Sequence, residues 1–186
     1  MELILQTGLD HQQKPVEAIS NSLKDVLITT PTQYFENPSF DLNDSRINTN
    51  IKSQQDALKV HSSIRGHTTN SNCLNLDIKM ETGTGKTYVY THAMYELHKQ
   101  FGINKFIIAV PTLPIKAGAQ QFLADPYVQR HFHDTRGYNT NIELYVLKPV
   151  TKKKGKSFFP SVVRAFFDGS FQNKNKIYVL LVNMQL

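Results

Sequence analysis

An eight-residue segment, Met80–Thr87 (METGTGKT), contains the residue types that bind a chain of phosphates. Gly83 and Gly85 let backbone N–H groups approach phosphate oxygens without a Cβ atom in the way. Lys86 would reach the outer phosphates as a point charge, and Thr87 would offer its hydroxyl to a Mg²⁺ ion. We therefore interpret the segment as a phosphate-binding loop (P-loop) for a nucleoside triphosphate.

The residues on both sides of the loop test this interpretation, because a P-loop lies between a strand and a helix. Alternating apolar residues before the loop predict a strand: Leu74, Leu76, Ile78 and Met80. Apolar residues at helical spacing after it predict a helix that ends at Gly102: Val89, Ala93, Met94, Leu97 and Phe101. Both flanks fit, and the one departure is Met80, where the general pattern has glycine.

The composition is that of a globular chain with one core. Hydrophobic residues make up 40% of the 186 residues and charged residues 19%, with a net charge of +6. The positive charge permits an anionic partner. Cys73 is the only cysteine, which excludes an intrachain disulfide. The sequence lacks both an apolar run of about 20 residues and a basic, signal-like start, so we expect a cytoplasmic protein with no membrane segment.

The remaining pattern predicts an α/β fold with a mainly parallel sheet. A helix is expected over 9–28 with Asp10 as N-cap, followed by a polar insertion, 29–73, that is mostly loop with one short helix near Ser53–Val60. The continuous apolar run Lys105–Val110 predicts a buried strand. Further segments are predicted as a helix over 115–123, a strand over 142–147, a helix over 161–167 and a strand over 177–182.

Two segments together resemble one family. METGTGKT and Phe106–Gly118 (FIIAVPTLPIKAG) resemble motifs I and Ia of superfamily 2 helicase-type ATPases, and most closely those of the restriction (Res) subunit of type III restriction-modification enzymes. Motif I of that family begins with methionine, which accounts for Met80. Leu9–Gln12 resembles the family's adenine-reading glutamine motif, with Gln12 the best match and Gln13 the runner-up.

The resemblance implies an incomplete RecA-like P-loop domain in three parts. Residues 1–28 would be an N-terminal helical segment with the glutamine motif, 29–73 a polar insertion, and 74–186 a partial helicase lobe 1, truncated before the DExH-type motif. ATP and Mg²⁺ would be the cofactors, with Thr87 as the Mg²⁺ ligand. The implied ATP-binding residues are Gln12, Thr82, Gly83, Thr84, Gly85, Lys86 and Thr87.

The resemblance also implies partners. Double-stranded DNA would contact Pro111, Thr112 and Lys116, where the loop after a parallel strand meets the next helix. Backbone N–H groups near 115–118 would bind a phosphate there. A modification (methyltransferase) subunit would supply sequence recognition in the intact enzyme, and ATP hydrolysis would drive communication along DNA before cleavage.

None of the predicted strands ends in the Asp-Glu pair that would hold Mg²⁺ and orient the attacking water. The only nuclease-like fragment, Asp77-Ile78-Lys79, is interpreted as a chance match. We therefore expect an N-terminal piece of a longer protein, from a truncated reading frame or a cut chain, that binds nucleotide weakly and does not hydrolyse it. The DNA sequence downstream would test this expectation.

Three other readings stay open at this point. The chain could belong to another superfamily 2 DNA helicase or translocase, to a small-molecule kinase, which would favour Gly at position 80, or to a non-functional remnant.

Two smaller patterns are also ambiguous. The basic run Lys152–Lys156 is a DNA phosphate contact or a solvated loop, and His131–Asp134 is a zinc ligand pair or, as we expect, a surface loop. Tyr88 and Tyr90 are expected to pack on the helix after the P-loop.

Overall fold

The structure, a computed structural model, describes residues 5–65, 73–148, 159–170 and 172–184. The basic run Lys152–Lys156 lies outside the described residues. A short 3-10 helix spans Ser62–Ile64. The other elements, in chain order, are α1 (Asp10–Ser22), β1 (Ile28–Thr29), β2 (Ser39–Phe40), α2 (Ser45–Ala57), α3 (Lys86–Phe101), β3 (Lys105–Val110), α4 (Leu113–Ala124), α5 (Pro126–Arg136), β4 (Asn141–Val146), α6 (Ser161–Phe167) and β5 (Lys176–Asn183).

The main sheet has three parallel strands in the order β3-β5-β4. Strand β5 is central and buried along most of its length, as its continuous apolar sequence requires when both faces are covered. Val110, Ala119 and Leu181 form a core cluster with α4 on one side, and Phe166, Tyr178 and Leu180 form another with α6. The predicted α/β fold class with a parallel sheet is confirmed.

Among the described residues, strand β3 lies at an edge of the main sheet. The continuous apolar run predicted a buried strand, but Ile107 is 62% exposed. An apolar run reports the character of the side chains, whereas the position of the strand depends on which neighbours pair with it. β3 pairs with β5 on one side only among the described residues.

The first residues of β3 are held by the side chain of Asn37. The Asn37 carboxamide oxygen accepts from the N–H groups of Asn104 (3.1 Å) and Lys105 (2.9 Å), and its Nδ2 donates to the Lys105 carbonyl (2.8 Å). The carboxamide thus replaces the peptide group of a neighbouring strand. The Lys105 ammonium donates to the carbonyls of Phe35 (2.7 Å) and Phe167 (2.6 Å), and burial lowers its pKa.

The chain divides into two compact units. The sheet unit contains Pro31–Asn37 and the described residues from 102 onward; the helical unit contains Gly8–Thr30 and the described residues of 38–101. In the helical unit, Val16 of α1 packs against Val89 and Ala93 of α3. The three-part division of the chain at 1–28, 29–73 and 74–186, which the family resemblance implies, stays a prediction.

The predicted helix over 9–28 is shorter in the structure. α1 ends at Ser22, and a turn that includes Asp25 in the left-handed region (φ 60°) redirects the chain. Val26 then packs against α2 and not along α1. Asp10 is the first residue of the helix, and the N-cap is Leu9, which makes no side-chain cap. The predicted helix was too long because the helical spacing of apolar residues continues through Val26, beyond the turn at Asp25 that ends the helical backbone.

Two predictions for the residues before the P-loop were wrong: the bounds of the short helix near Ser53–Val60 and the strand from Leu74 to Met80. The helix there, α2, begins at Ser45 and ends at Ala57, earlier than expected, because the Asp44 side chain caps it by accepting from the Arg46 N–H. Residues 75–80 form no strand. Their alternation serves one-sided packing: Leu74 and Leu76 contact the α2 cluster, and Met80 contacts the α1–α3 cluster.

The segment His131–Asp134 is helical, not a loop, since it lies within α5. Phe132 is fully buried, and Val128 beside it on the helix is also buried. The described residues contain no group of three or more metal-ligating side chains. None of the described helices is long and apolar enough to cross a membrane.

Replacing Asn37 by alanine should destabilise the sheet unit. Asn37→Ala leaves two N–H groups and one carbonyl at the start of β3 without their partner, and we expect a loss of about 1–2 kcal/mol in the free energy of unfolding, because water replaces part of the bonding. Urea unfolding followed by circular dichroism measures the loss. Asn139→Ala, at an exposed asparagine, is the matched control and should have no effect. Equal effects in the two variants would contradict the role of the Asn37 carboxamide.

Candidate functional site

The P-loop turn depends on two glycines with positive φ. Gly83 has φ 83° and Gly85 has φ 84°, in the left-handed region that an L side chain rarely adopts. α3 begins immediately afterwards at Lys86. The backbone N–H groups at the start of this helix have no helical carbonyl to bond, and the helix dipole is positive there. The turn and the helix start together form a nest suited to an anion.

The carbonyl of Glu81 holds the loop together. It accepts from the Thr84 hydroxyl at 2.7 Å and from the Lys86 ammonium at 2.5 Å. A lysine ammonium has three donors, so two remain for phosphate oxygens while this bond persists. Lys86 is exposed, as a phosphate contact requires. Sequence reasoning did not find the role of Glu81, because a main-chain carbonyl leaves no signal in residue types.

Gln12 lies on the P-loop. Its Nε2 donates to the Thr84 carbonyl at 3.2 Å, across a separation of 72 residues. A Cβ atom at Gly85 would lie 2.5 Å from the same nitrogen, which adds a second reason for glycine at that position. The carboxamide oxygen is not engaged by this bond and has acceptor capacity for a base edge. Of the two candidate glutamines, Gln12 is the one for which the structure has a side-chain bond to the loop.

Thr87 occupies the first turn of α3 and is half-buried. Burial raises the pKa of Tyr90, and a side-chain hydrogen bond with Thr87 partly offsets this effect. A hydroxyl has one donor and two acceptor lone pairs, so Thr87 can keep this bond and still ligate a cation. Tyr88 is buried on α3, as expected for a packing residue.

A Mg²⁺ ion would be held largely through a nucleotide. The described residues contain no cluster of metal-ligating side chains, and Thr82 and Glu81 are exposed on the loop. Magnesium is commonly bound by one or two protein oxygens together with phosphates and water. The Thr87 hydroxyl fits that arrangement as a single protein ligand.

The turn after β3 also carries exposed polar groups. Pro111 and Thr112 are exposed, and Thr112 is the N-cap of α4 without using its hydroxyl as a cap. α4 begins at Leu113, two residues earlier than predicted, with Pro114 in its first turn. The N–H groups near 115–118 were expected to bind a phosphate, but the Lys116 N–H bonds the Thr112 carbonyl instead. The first-turn amides that precede the helical bonding are those of Leu113 and Ile115.

Lys116 does not present its ammonium to solvent, contrary to its predicted role as a direct DNA contact. The residue is 6% exposed, and its Nζ donates to the carbonyl of Leu147. Helical spacing places Lys116 one turn after Thr112, on the side of α4 that faces the sheet. The residue type suggested a phosphate ligand, but the helix start fixed the direction of its side chain.

Comparison with known proteins gives a consistent result. The family model described as "Type III restriction enzyme, res subunit" matches residues 7–185. The EcoP15I Res subunit of Escherichia coli is 36% identical over 185 residues, which cover 96% of this chain and 19% of the relative. The EcoPI Res subunit of Escherichia phage P1 is also 36% identical, with the same two coverages.

A third relative, the StyLTI Res subunit of Salmonella typhimurium, is 45% identical over 114 residues, which cover 60% of this chain and 11% of the relative. The chain therefore spans about a fifth of the length of the first two relatives. The family match includes Gln12, the P-loop and the Thr112 turn. On this evidence, the chain belongs to the family of type III restriction enzyme Res subunits.

Proposed function

We propose that this chain is the ATP-binding N-terminal part of a type III restriction subunit. ATP would bind with its phosphates on the loop Thr82–Thr87, with Lys86 on the outer phosphates and Thr87 on Mg²⁺. Gln12 would read the adenine. The 186 residues alone would bind nucleotide without turning it over.

The observation that carries this proposal is the local geometry of the helical unit. Two positive-φ glycines lead directly into α3, and the Gln12 side chain bonds the same loop. A strand-forming or helix-forming segment would not need glycine at both positions, whereas a phosphate nest does. Family membership supports nucleotide binding as the use of this nest over binding of a simple anion.

The activity of the intact enzyme is proposed by analogy with its relatives. Those relatives are named as type III restriction-modification enzymes. In an intact subunit, ATP hydrolysis would drive communication along double-stranded DNA, cleavage would follow, and a modification subunit would supply sequence recognition. The exposed groups of Pro111 and Thr112 would contribute a contact to the DNA backbone.

Removal of the Lys86 ammonium should abolish stabilisation by nucleotide. A ligand that binds only the folded state stabilises it by about 2.7 kcal/mol at a concentration 100 times its Kd. We expect ATP–Mg²⁺ to raise the melting temperature of the wild-type chain and to have no effect on Lys86→Ala. Differential scanning fluorimetry with and without ATP–Mg²⁺ measures the shift.

Lys79→Ala is the matched control, because Lys79 is also exposed and lies just before the same loop. It should respond to ATP–Mg²⁺ as the wild type does. A wild-type chain that shows no shift at any nucleotide concentration would favour the reading of a non-functional remnant.

Gln12 should determine preference for the base. In Gln12→Ala, the loss of the carboxamide removes a donor and an acceptor for adenine, and we expect the preference for ATP over GTP to fall about tenfold. Competition with a fluorescent ATP analogue measures both dissociation constants. The control is Gln13→Ala, and a larger effect there would transfer the role to Gln13.

The chain alone should release no phosphate from ATP above the level of the Lys86→Ala variant. Hydrolysis needs carboxylates that hold Mg²⁺ and orient water, and no described strand ends in such a pair. A coupled phosphate-release assay with and without duplex DNA tests this. Steady release that Lys86→Ala abolishes would show that the proposed lack of turnover is wrong.

A further inference from the structure

Lys116 is unusual because a buried lysine ammonium donates to a backbone carbonyl. Its side chain bonds the Leu147 carbonyl, immediately after β4, while its own N–H bonds the Thr112 carbonyl at the start of α4. One residue therefore ties two segments that both follow the carboxyl ends of parallel strands. A buried ammonium is costly unless it is hydrogen-bonded, so the side chain has a strong preference to keep this bond.

Leu147 is held from both sides. Its N–H donates to the Leu181 carbonyl at 3.0 Å, which continues the pairing with β5 for one residue beyond β4. Its carbonyl accepts from Lys116. The backbone is thus fixed up to the point where Lys148 begins, and Lys148 is exposed.

We infer that Lys116 is a positioning residue that fixes Lys148 at the carboxyl edge of the sheet, so that Lys148 and not Lys116 contacts a DNA phosphate. The inference rests on the proposed DNA contact at the turn of Pro111 and Thr112. Exposed Lys148 supplies the charge, and Thr112 supplies a hydroxyl that caps no helix amide. Lys116 links the two backbone segments that carry these groups, because its N–H bonds the Thr112 carbonyl and its ammonium bonds the Leu147 carbonyl.

The two roles differ in how DNA affinity depends on salt. A side chain that neutralises a phosphate releases counterions, and its loss reduces the slope of log K against log salt by about 0.9 for duplex DNA. Loss of a residue that only positions another side chain changes the affinity for DNA but leaves the salt slope almost unchanged, as long as the other side chain still contacts its phosphate. Lys→Met substitutions remove the charge at either position and retain most of the side-chain length.

The test compares Lys116→Met with Lys148→Met in the full 186-residue chain. Fluorescence anisotropy with a short labelled duplex gives affinity across a salt series. We expect Lys148→Met to reduce the slope by about 0.9, and Lys116→Met to lower affinity while the slope stays within 0.3 of the wild-type value, roughly a third of one contact. Lys52→Met, at an exposed lysine of α2, controls for a general loss of charge.

A second measurement does not depend on DNA. Hydrogen exchange of the Leu147 amide should accelerate in Lys116→Met, because its carbonyl loses the ammonium that holds the strand end, and should recover in Lys116→Arg. This exchange is expected to be unchanged in Lys148→Met. If the methionine variant does not fold, Lys116→Gln takes its place, because glutamine keeps a hydrogen-bond donor without the charge, and we expect a wild-type salt slope in that variant.

Three outcomes would overturn the inference. A slope reduction of about 0.9 in Lys116→Met would make Lys116 itself the phosphate contact. An unchanged slope in Lys148→Met would remove Lys148 from the contact. Wild-type exchange at Leu147 in Lys116→Met would show that the bond fixes nothing. A chain that binds no duplex at any salt concentration refutes the proposed DNA contact instead, and leaves ATP binding at the P-loop unaffected.

Discussion

The conformation of two glycines is the constraint on which the candidate nucleotide site depends. With Gly83 and Gly85 in the left-handed region, the backbone turns sharply enough for α3 to begin at Lys86. That turn also brings the Glu81 carbonyl within reach of Thr84 and Lys86, and it leaves space at Gly85 for the Gln12 carboxamide. A side chain at either glycine would strain the backbone, and at Gly85 it would also displace the glutamine.

Much of the sheet unit could be predicted from the sequence, because parallel strands with both faces covered have continuous apolar runs. Strand β5 and helix α6 lie where the pattern placed them. Strand β3 was found, but its position at the edge was not, since Ile107 has the same apolar character in either place. The Asn37 contact could not be found either, because a polar residue far away in the sequence makes it.

The helical unit was predicted less well for a related reason. Periodicity identifies which side chains are apolar but not what covers them. Residues 74–80 alternate like a strand, yet Leu76 and Met80 pack against helices without a pairing partner. Lys116 makes the same point for the candidate DNA site: its type and position suggested a direct phosphate contact, and the one-turn offset from Thr112 directed its ammonium inward. Residue types indicated which chemical groups are present, whereas the residue at which a helix begins determines the direction in which each side chain points.

The carboxamide of Asn37 has a consequence for the outer edge of β3. The Asn104 carbonyl faces β5, where it accepts from the Tyr178 N–H, so the N–H and carbonyl of Lys105 face away from β5. Asn37 occupies both of those groups. Any additional strand that pairs with β3 on this side can make its first backbone bonds only from Ile107 onward. A single side chain thereby limits the registers open to such a strand, because extending its backbone pairing by two residues, from Ile107 to Lys105, would have to displace Asn37.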